Sequence, residues 1–446
     1  MKKNAITLLT LMLVVAAGRN AFAADLLVVY REASLRDAVY ASAKAQYIAA
    51  QERLPQGRAL LLPNVNFGAG TNYNDVNAEY KNSVFPSGNR EFYDYKYGVS
   101  LTQPLYNSQS AATYEQAKIQ VRQAQTQLGA AAQDLMTRVA QAYFDVLLAR
   151  ANLSTIESQK IAVAEQLEQA KRNFVVGTAT ITDSREAQAR YDLVVAQELV
   201  AQNDVEVRNR ALEQLVGKPA GELAGLTTPV TLNAPQPAAM DAWVEQAYQS
   251  SLQIAAAQHS VELAAREIER ASAGHRPTLD AVGSLTQNYA SSSVQGIGSD
   301  VRALVIGVQL NVPLYQGGAI SSRVREAVAN QERARQDLEN ARRSAALQTR
   351  TAYLGVTSGL AQVKALQQAV GSTQLQLEST KLGQEVGVRT AVDVLNAEQQ
   401  LSAARRDLAQ ALYNTILSQL RLKAAVGKLA EADLADINAL LREGAR

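Results

Sequence analysis

Apolar and polar residues alternate along this chain with two different periods. In four short stretches the alternation is strict. Val65, Phe67, Ala69, Thr71 and Tyr73 alternate with Asn64, Asn66, Gly68, Gly70 and Asn72. Tyr93, Tyr95, Tyr97, Val99 and Leu101 alternate with Asp94, Lys96, Gly98, Ser100 and Thr102. Leu304, Ile306, Val308, Leu310 and Val312 form a third set, and Leu279, Ala281 and Leu285 a weaker fourth. A period of two places each set on one face of a strand, so strands are predicted over residues ~64–74, ~92–103, ~278–289 and ~301–312. Each is about as long as a tilted strand needs to be to cross a bilayer, roughly 9–11 residues. The tyrosines of the second strand resemble the aromatic girdles that sit at membrane interfaces.

Elsewhere the period is helical. Leu128, Ala131, Leu135, Val139, Ala142 and Val146 follow one stripe, and no proline occurs between Pro104 and Pro219 or after Pro313. The pattern predicts long helices at ~108–174 and ~318–384, each followed by a tip turn and a returning helix at ~181–216 and ~391–426. At ~1.5 Å per residue the first would span about 100 Å. Rods of that length bury their apolar stripe against one another as coiled coils do.

The two halves repeat each other. Leu101-Thr102-Gln103-Pro104-Leu105-Tyr106 recurs as Leu310-Asn311-Val312-Pro313-Leu314-Tyr315, an offset of 209. Ala142-Tyr143-Phe144-Asp145-Val146 recurs as Ala352-Tyr353-Leu354-Gly355-Val356, an offset of 210 that also maps Gly177 onto Gly387 and Val216-Gly217-Lys218 onto Val426-Gly427-Lys428. Pro63 maps onto Pro277 at 214, so a variable loop is expected between Pro63 and Pro104. The expected organisation is a first repeat over 24–218, beginning with a helix, a linker over 219–238, a second repeat over 239–428 and a C-terminal segment over 429–446.

Lys2 and Lys3, the apolar run from Ala5 to Ala17 and Ala21-Phe22-Ala23 read as a secretory signal peptide over 1–23. Removing it leaves 41 basic against 42 acidic residues, so no basic field is present for nucleic acid. The chain has no Cys, which excludes a disulfide scaffold. Aromatics are 5 % of residues, in keeping with Ala-rich helices. No phosphate-binding loop is present, since Gly217-Lys218 precedes Pro219 and lacks the upstream glycine. His259 and His275 lie without a metal-ligand constellation, so neither an enzyme nor a bound cofactor or metal is expected. Trp243 matches Val29 across the repeat and reads as core.

Four membrane strands leave two edges whose backbone groups hydrocarbon cannot satisfy. A closed barrel needs at least about eight strands. Copies of the chain must therefore associate, two giving eight strands and three giving twelve, around a polar lumen. The competing reading, an exported coiled-coil scaffold or adhesin without a pore, explains the helices and leaves the alternating strands unexplained.

With these features on view, the sequence resembles the TolC family of outer-membrane channels. The resemblance rests on the duplication, on the two Leu-x-x-Pro-Leu-Tyr-like strand exits, and on the segments Phe174–Asp183 and Glu385–Leu395. It implies a homotrimer, with a twelve-stranded β-barrel in the outer membrane continued through the periplasm by an α-helical barrel. It also implies an exit duct for efflux or type I secretion, docked by a periplasmic adaptor and an inner-membrane ABC or RND-type transporter. Without Cys at the mature N-terminus, the chain looks like the non-lipidated branch. Gly177 and Gly387 sit where helices reverse, a position favouring positive φ, and Thr182-Asp183 and Thr390 can cap the returning helices. By resemblance, Val176, Gly177, Thr178, Val386, Gly387, Val388 and Thr390 would touch the adaptor. Asp183, Arg389 and Asp393 would form the periplasmic gate. Asn396 stands where some members carry a second acid, and Gln384 where some carry Tyr. The competing reading of Asp183 and Asp393 is that they only cap helices.

Overall fold

The computed structural model describes residues 24–442, apart from 82, 83, 86, 179, 227–229 and 231, so the expected signal peptide lies outside the described residues. In chain order the elements are α1 (Leu26–Arg36), α2 (Ala38–Gln51), α3 (Arg53–Ala59), β1 (Asn64–Ala78), β2 (Gly88–Tyr106), α4 (Ser108–Val175), α5 (Ile181–Val216) and β3 (Gly225–Leu226). They continue with α6 (Met240–Ser250), α7 (Leu252–Ser272), β4 (Thr278–Ala290), β5 (Ser299–Asn311), α8 (Ala319–Glu385), α9 (Ala391–Ala425), α10 (Glu431–Asn438) and β6 (Leu441–Arg442). Two compact units result. One holds residues up to Ser42, Ala130–Ser251 and Ala345 onward; the other holds Ala43–Gly129 and Leu252–Ser344.

The second unit contains a four-stranded antiparallel sheet in the order β1-β2-β4-β5, with β1 and β5 as its edges. The two repeats join through β2 and β4, where Leu101 faces Gly283 and Val99 faces Leu285. Register carries the alternation across all four strands. Val65 pairs with Leu101 and Gly283 with Ile306, while Asn66 pairs with Ser100 and Ser284 with Val305. One face is thus apolar, and it is open: Phe67 is 71 % and Ile306 81 % exposed. The rings of Tyr73 and Tyr93 meet tilted at 5.1 Å and those of Tyr95 and Tyr289 at 6.1 Å, so the tyrosine group spans three strands rather than one. Beside it, Arg302 donates to Gln287 at 3.0 Å and Gln287 to Asp300, which ends the apolar band in a polar cluster.

The expected variable loop is a longer ribbon instead. β1 and β2 have 15 and 19 residues against 13 each in β4 and β5, while the connections 79–87 and 291–298 are similar in length. The added residues extend the ladder, pairing Asn74–Ala78 with Phe92–Gly88 beyond the level where β2 meets β4.

In the first unit, α4 and α8, of 68 and 67 residues, contribute their distal lengths and pair with α5 and α9. Lys160 bonds Glu198 across α4 and α5 at 2.6 Å, and Lys381 bonds Glu398 across α8 and α9 at 2.9 Å. Leu395 of α9 packs on Val163 and Val194, which joins the pairs. The main core gathers Leu26, Val29, Leu135, Tyr143, Phe144, Leu212, Ile416 and Leu434 from both repeats. Fully burying side chains of this size stabilises by about 1.5–3 kcal/mol each.

The leading helix expected in the first repeat is broken, and so is its counterpart in the second. Asp37 turns to ψ 121 and accepts from Tyr40 N, ending α1 and capping α2, and Ser251 turns to ψ 127 between α6 and α7. The two breaks stand 214 residues apart, the offset of Pro63 and Pro277. Neither contains proline, so periodicity alone does not show them. The linker and the C-terminal segment are also structured, with β3 pairing β6 and α10 packing on α1. Tyr143 donates to the Ala24 and Ala224 carbonyls, and Tyr353 to that of Ala238. Ala24 and Ala238 are themselves 214 apart, so the repeated tyrosine pins the same backbone position in each repeat.

Candidate functional site

The reversals at the ends of α4 and α8 bring together the residues singled out from sequence, and they have the same local construction. Gly177 and Gly387 adopt φ 76 and 77. Thr178 N donates to Asn173 O at 2.9 Å and Gly177 N to Phe174 O at 3.1 Å; Val388 N donates to Gly383 O at 2.8 Å and Gly387 N to Gln384 O at 3.0 Å. This is the paired closure that ends a helix on a left-handed residue and satisfies its last carbonyls. The turns are apolar and bare, with Val176 71 % and Val388 78 % exposed.

The returning helices begin with a reciprocal cap. In α5, Thr180 Oγ1 accepts from Asp183 N, and Asp183 Oδ2 accepts from Thr180 N at 2.8 Å and Thr180 Oγ1 at 2.9 Å. In α9, Thr390 and Asp393 repeat the arrangement at 2.9 and 2.9 Å. Thr180 was missed from sequence in favour of Thr182. The Thr-x-x-Asp spacing at 180/183 and 390/393, the signature of a capping box, was the signal that finds it.

The capping bonds hold both carboxyl groups below the ordinary aspartate range. The largest cause at each is the bond from the threonine backbone, followed by that from the hydroxyl, with the nearby charge of Arg389 adding to Asp393. A depressed carboxyl pKa stabilises the cap above the unfolded value, near ~3.9, and that stability is lost as pH falls through the lower folded value. Amide exchange in the first turns of α5 and α9, corrected for intrinsic rate, is therefore expected to stay slow at pH 5 to 7 and to accelerate below about pH 4. Exchange that does not change across that interval would remove the capping role.

Asp183, Arg389 and Asp393 all lie at this end of the helices; Asp183 and Arg389 are exposed and Asp393 is half-buried. Among the described residues they form no ion pair with one another: each aspartate is engaged by its own threonine. Arg389 lies over Gly383, where an added Cβ would meet its Cγ at 2.7 Å. Among the described residues, the two aspartates are caps and Arg389 acts on Asp393 only through its nearby charge.

Comparison with known proteins places this construction. The model of the outer membrane efflux protein family matches residues 29–218 and 243–428, one match per repeat. The outer membrane protein TolC of Vibrio cholerae is 36 % identical over 425 residues, covering 94 % of each chain. The proteases secretion protein PrtF of Dickeya chrysanthemi is 31 % identical over 98 % of this chain and 95 % of its own. The solved CmeC outer membrane channel of Campylobacter jejuni superposes with a TM-score of 0.79 at 18 % identity, covering 93 % of this chain and 88 % of that one. With both repeats matched and the fold shared across nearly the whole length, the chain belongs to the outer membrane efflux protein family.

Proposed function

We propose that this protein is the outer-membrane exit duct of a tripartite export system. One observation carries the reading: a four-stranded sheet with one apolar, uncovered face and two unpaired edges, β1 and β5. Water makes that face costly, at about 25 cal/mol per Å² of apolar surface, whereas lipid accepts it. A pore-free scaffold gives no reason for the face to exist. Lipid cannot satisfy the edges, so β5 of one copy pairs with β1 of the next, and three copies close a barrel of twelve strands. The polar face carrying Asn66, Ser100 and Ser284 then lines the bore. The helices continue the duct to a periplasmic end formed by the two tip turns.

At that end Val176, Gly177, Thr178, Val386, Gly387, Val388 and Thr390 form the contact for a periplasmic adaptor, which links the duct to an inner-membrane ABC or RND-type transporter. The bare valines support this assignment, because exposed apolar groups on a rigid turn are what a partner surface covers. Asp183, Arg389 and Asp393 form the gate, where threefold symmetry repeats each charge around the axis.

Mass measurement on the detergent-solubilised complex tests the assembly. The expected result is three times the mature chain mass, together with discrete conductance steps in planar bilayers. A stable monomer or dimer that conducts would overturn the closure argument.

A further inference from the structure

Residues 232–236 and 243, α9 and the C-terminal residues 433–440 line an open-mouthed cavity. It has a volume of about 350 Å³ and apolar walls formed by Leu232, Pro235, Trp243, Leu420, Leu422 and Ile437. Small-molecule sites begin near ~300 Å³ and combine apolar walls with a few polar groups. Most polar groups here are already engaged. Trp243 Nε1 donates to Pro237 O at 2.7 Å, Gln419 Nε2 donates to Asn233 O at 3.0 Å, and Lys423 is paired with Asp433.

Asp436 is the exception. It lies exposed at the cavity rim and, among the described residues, has no hydrogen-bond or ion-pair partner. The Lys423–Asp433 pair cancels, leaving one uncompensated carboxylate beside an apolar cavity that includes an indole ring. We propose that this cavity is a binding site for a small organic cation with an apolar body. The cation is held near the Asp436 carboxylate and against the aromatic wall, and the body displaces water from Leu420, Leu422 and Ile437. Indole faces attract cations, most strongly quaternary ammonium groups that water solvates weakly. An organic anion would meet the carboxylate with like charge, and a neutral ligand would gain nothing from it.

Trp243 is the only tryptophan in the chain, so its emission reports on this cavity alone. The test uses the full chain, assembled in lipid nanodiscs and titrated with benzyltrimethylammonium. The expected result is a saturable change in Trp243 emission, with ligand-observed saturation-transfer NMR giving the same midpoint. Asp436→Asn leaves the exposed side chain's size unchanged and should weaken binding roughly tenfold. Benzoate should give no saturable response. The proposal is overturned if benzyltrimethylammonium gives no saturable signal by either method, as it would if a second copy of the chain covered the cavity. Equal affinity in the native and Asp436→Asn proteins would also overturn it, since binding would then owe nothing to the carboxylate.

Discussion

Replacing Gly177 and Gly387 together by valine is expected to abolish export while the trimer still assembles in the outer membrane. Both glycines hold a φ near +76, and a Cβ at either would meet nothing within 4 Å. The effect is therefore conformational and not steric crowding. A left-handed residue with a Cβ costs about 1–2 kcal/mol, and more when β-branched. A turn released by about 2 kcal/mol shifts roughly thirtyfold toward other geometries. The change repeats at six turns of a trimer, each carrying the bare valines that form the proposed adaptor contact. The cores around Tyr143 and Val163 lie helical turns away from the tips, so folding and insertion should survive. Asparagine tolerates the left-handed region better than other residues, so the double asparagine variant should retain most export. Secretion or efflux assayed in cells, alongside trimer recovery from outer membranes, reads both outcomes. Undiminished export by the double valine variant would remove the tips from the interface.

Asp393→Ala is expected to raise conductance in planar bilayers and to weaken block by multivalent cations added from the periplasmic side. Three carboxylates in one ring inside a constriction focus a negative potential and concentrate cations. Arg389 lowers the pKa of Asp393 through space and offsets part of that field. The same carboxylate caps α9, so the substitution removes two functions at once, and a second variant must separate them. Thr390→Val deletes the hydroxyl of the cap and leaves the carboxylate charge. If Asp393 gates the duct, only Asp393→Ala changes the block. If it acts as a cap alone, both variants loosen the first turn of α9, and neither alters block by multivalent cations. That second pattern would end the gate assignment.

The tips were the most legible part of the site, because the information there is local. A glycine at the end of an unbroken helical stripe specifies the left-handed turn, and the threonine and aspartate three apart specify the reciprocal cap, although at the first tip sequence alone pointed to Thr182 and the cap is Thr180. The role of the charges at that end is not local. Asp183 and Asp393 hold equivalent positions in the two repeats, with Arg389 four residues before Asp393, yet in one copy of the chain each aspartate bonds its own threonine. Only the charge of Arg389 reaches Asp393 within one copy.

Much of the fold was written in period and repetition. A period of two over Val65–Tyr73 admits only a strand with two unlike faces, and a proline-free helical stripe from Ser108 to Phe174 admits only a rod. The common offset of the two halves makes them equivalent units, and four strands with an apolar face require association. These conclusions follow from backbone geometry and from hydrogen bonds that lipid cannot replace. Tertiary structure alone decided the rest. The breaks at Asp37 and Ser251 carry no proline, and each is an extended residue between two helices that periodicity does not announce. The linker and the C-terminal segment carry no strong period. They become β3, β6 and α10 only because residues more than 200 positions apart, such as Gly225 and Arg442, meet and satisfy each other's backbone groups. The cavity beside Trp243 has the same origin, since its walls come from three separate stretches of chain whose proximity no local pattern encodes.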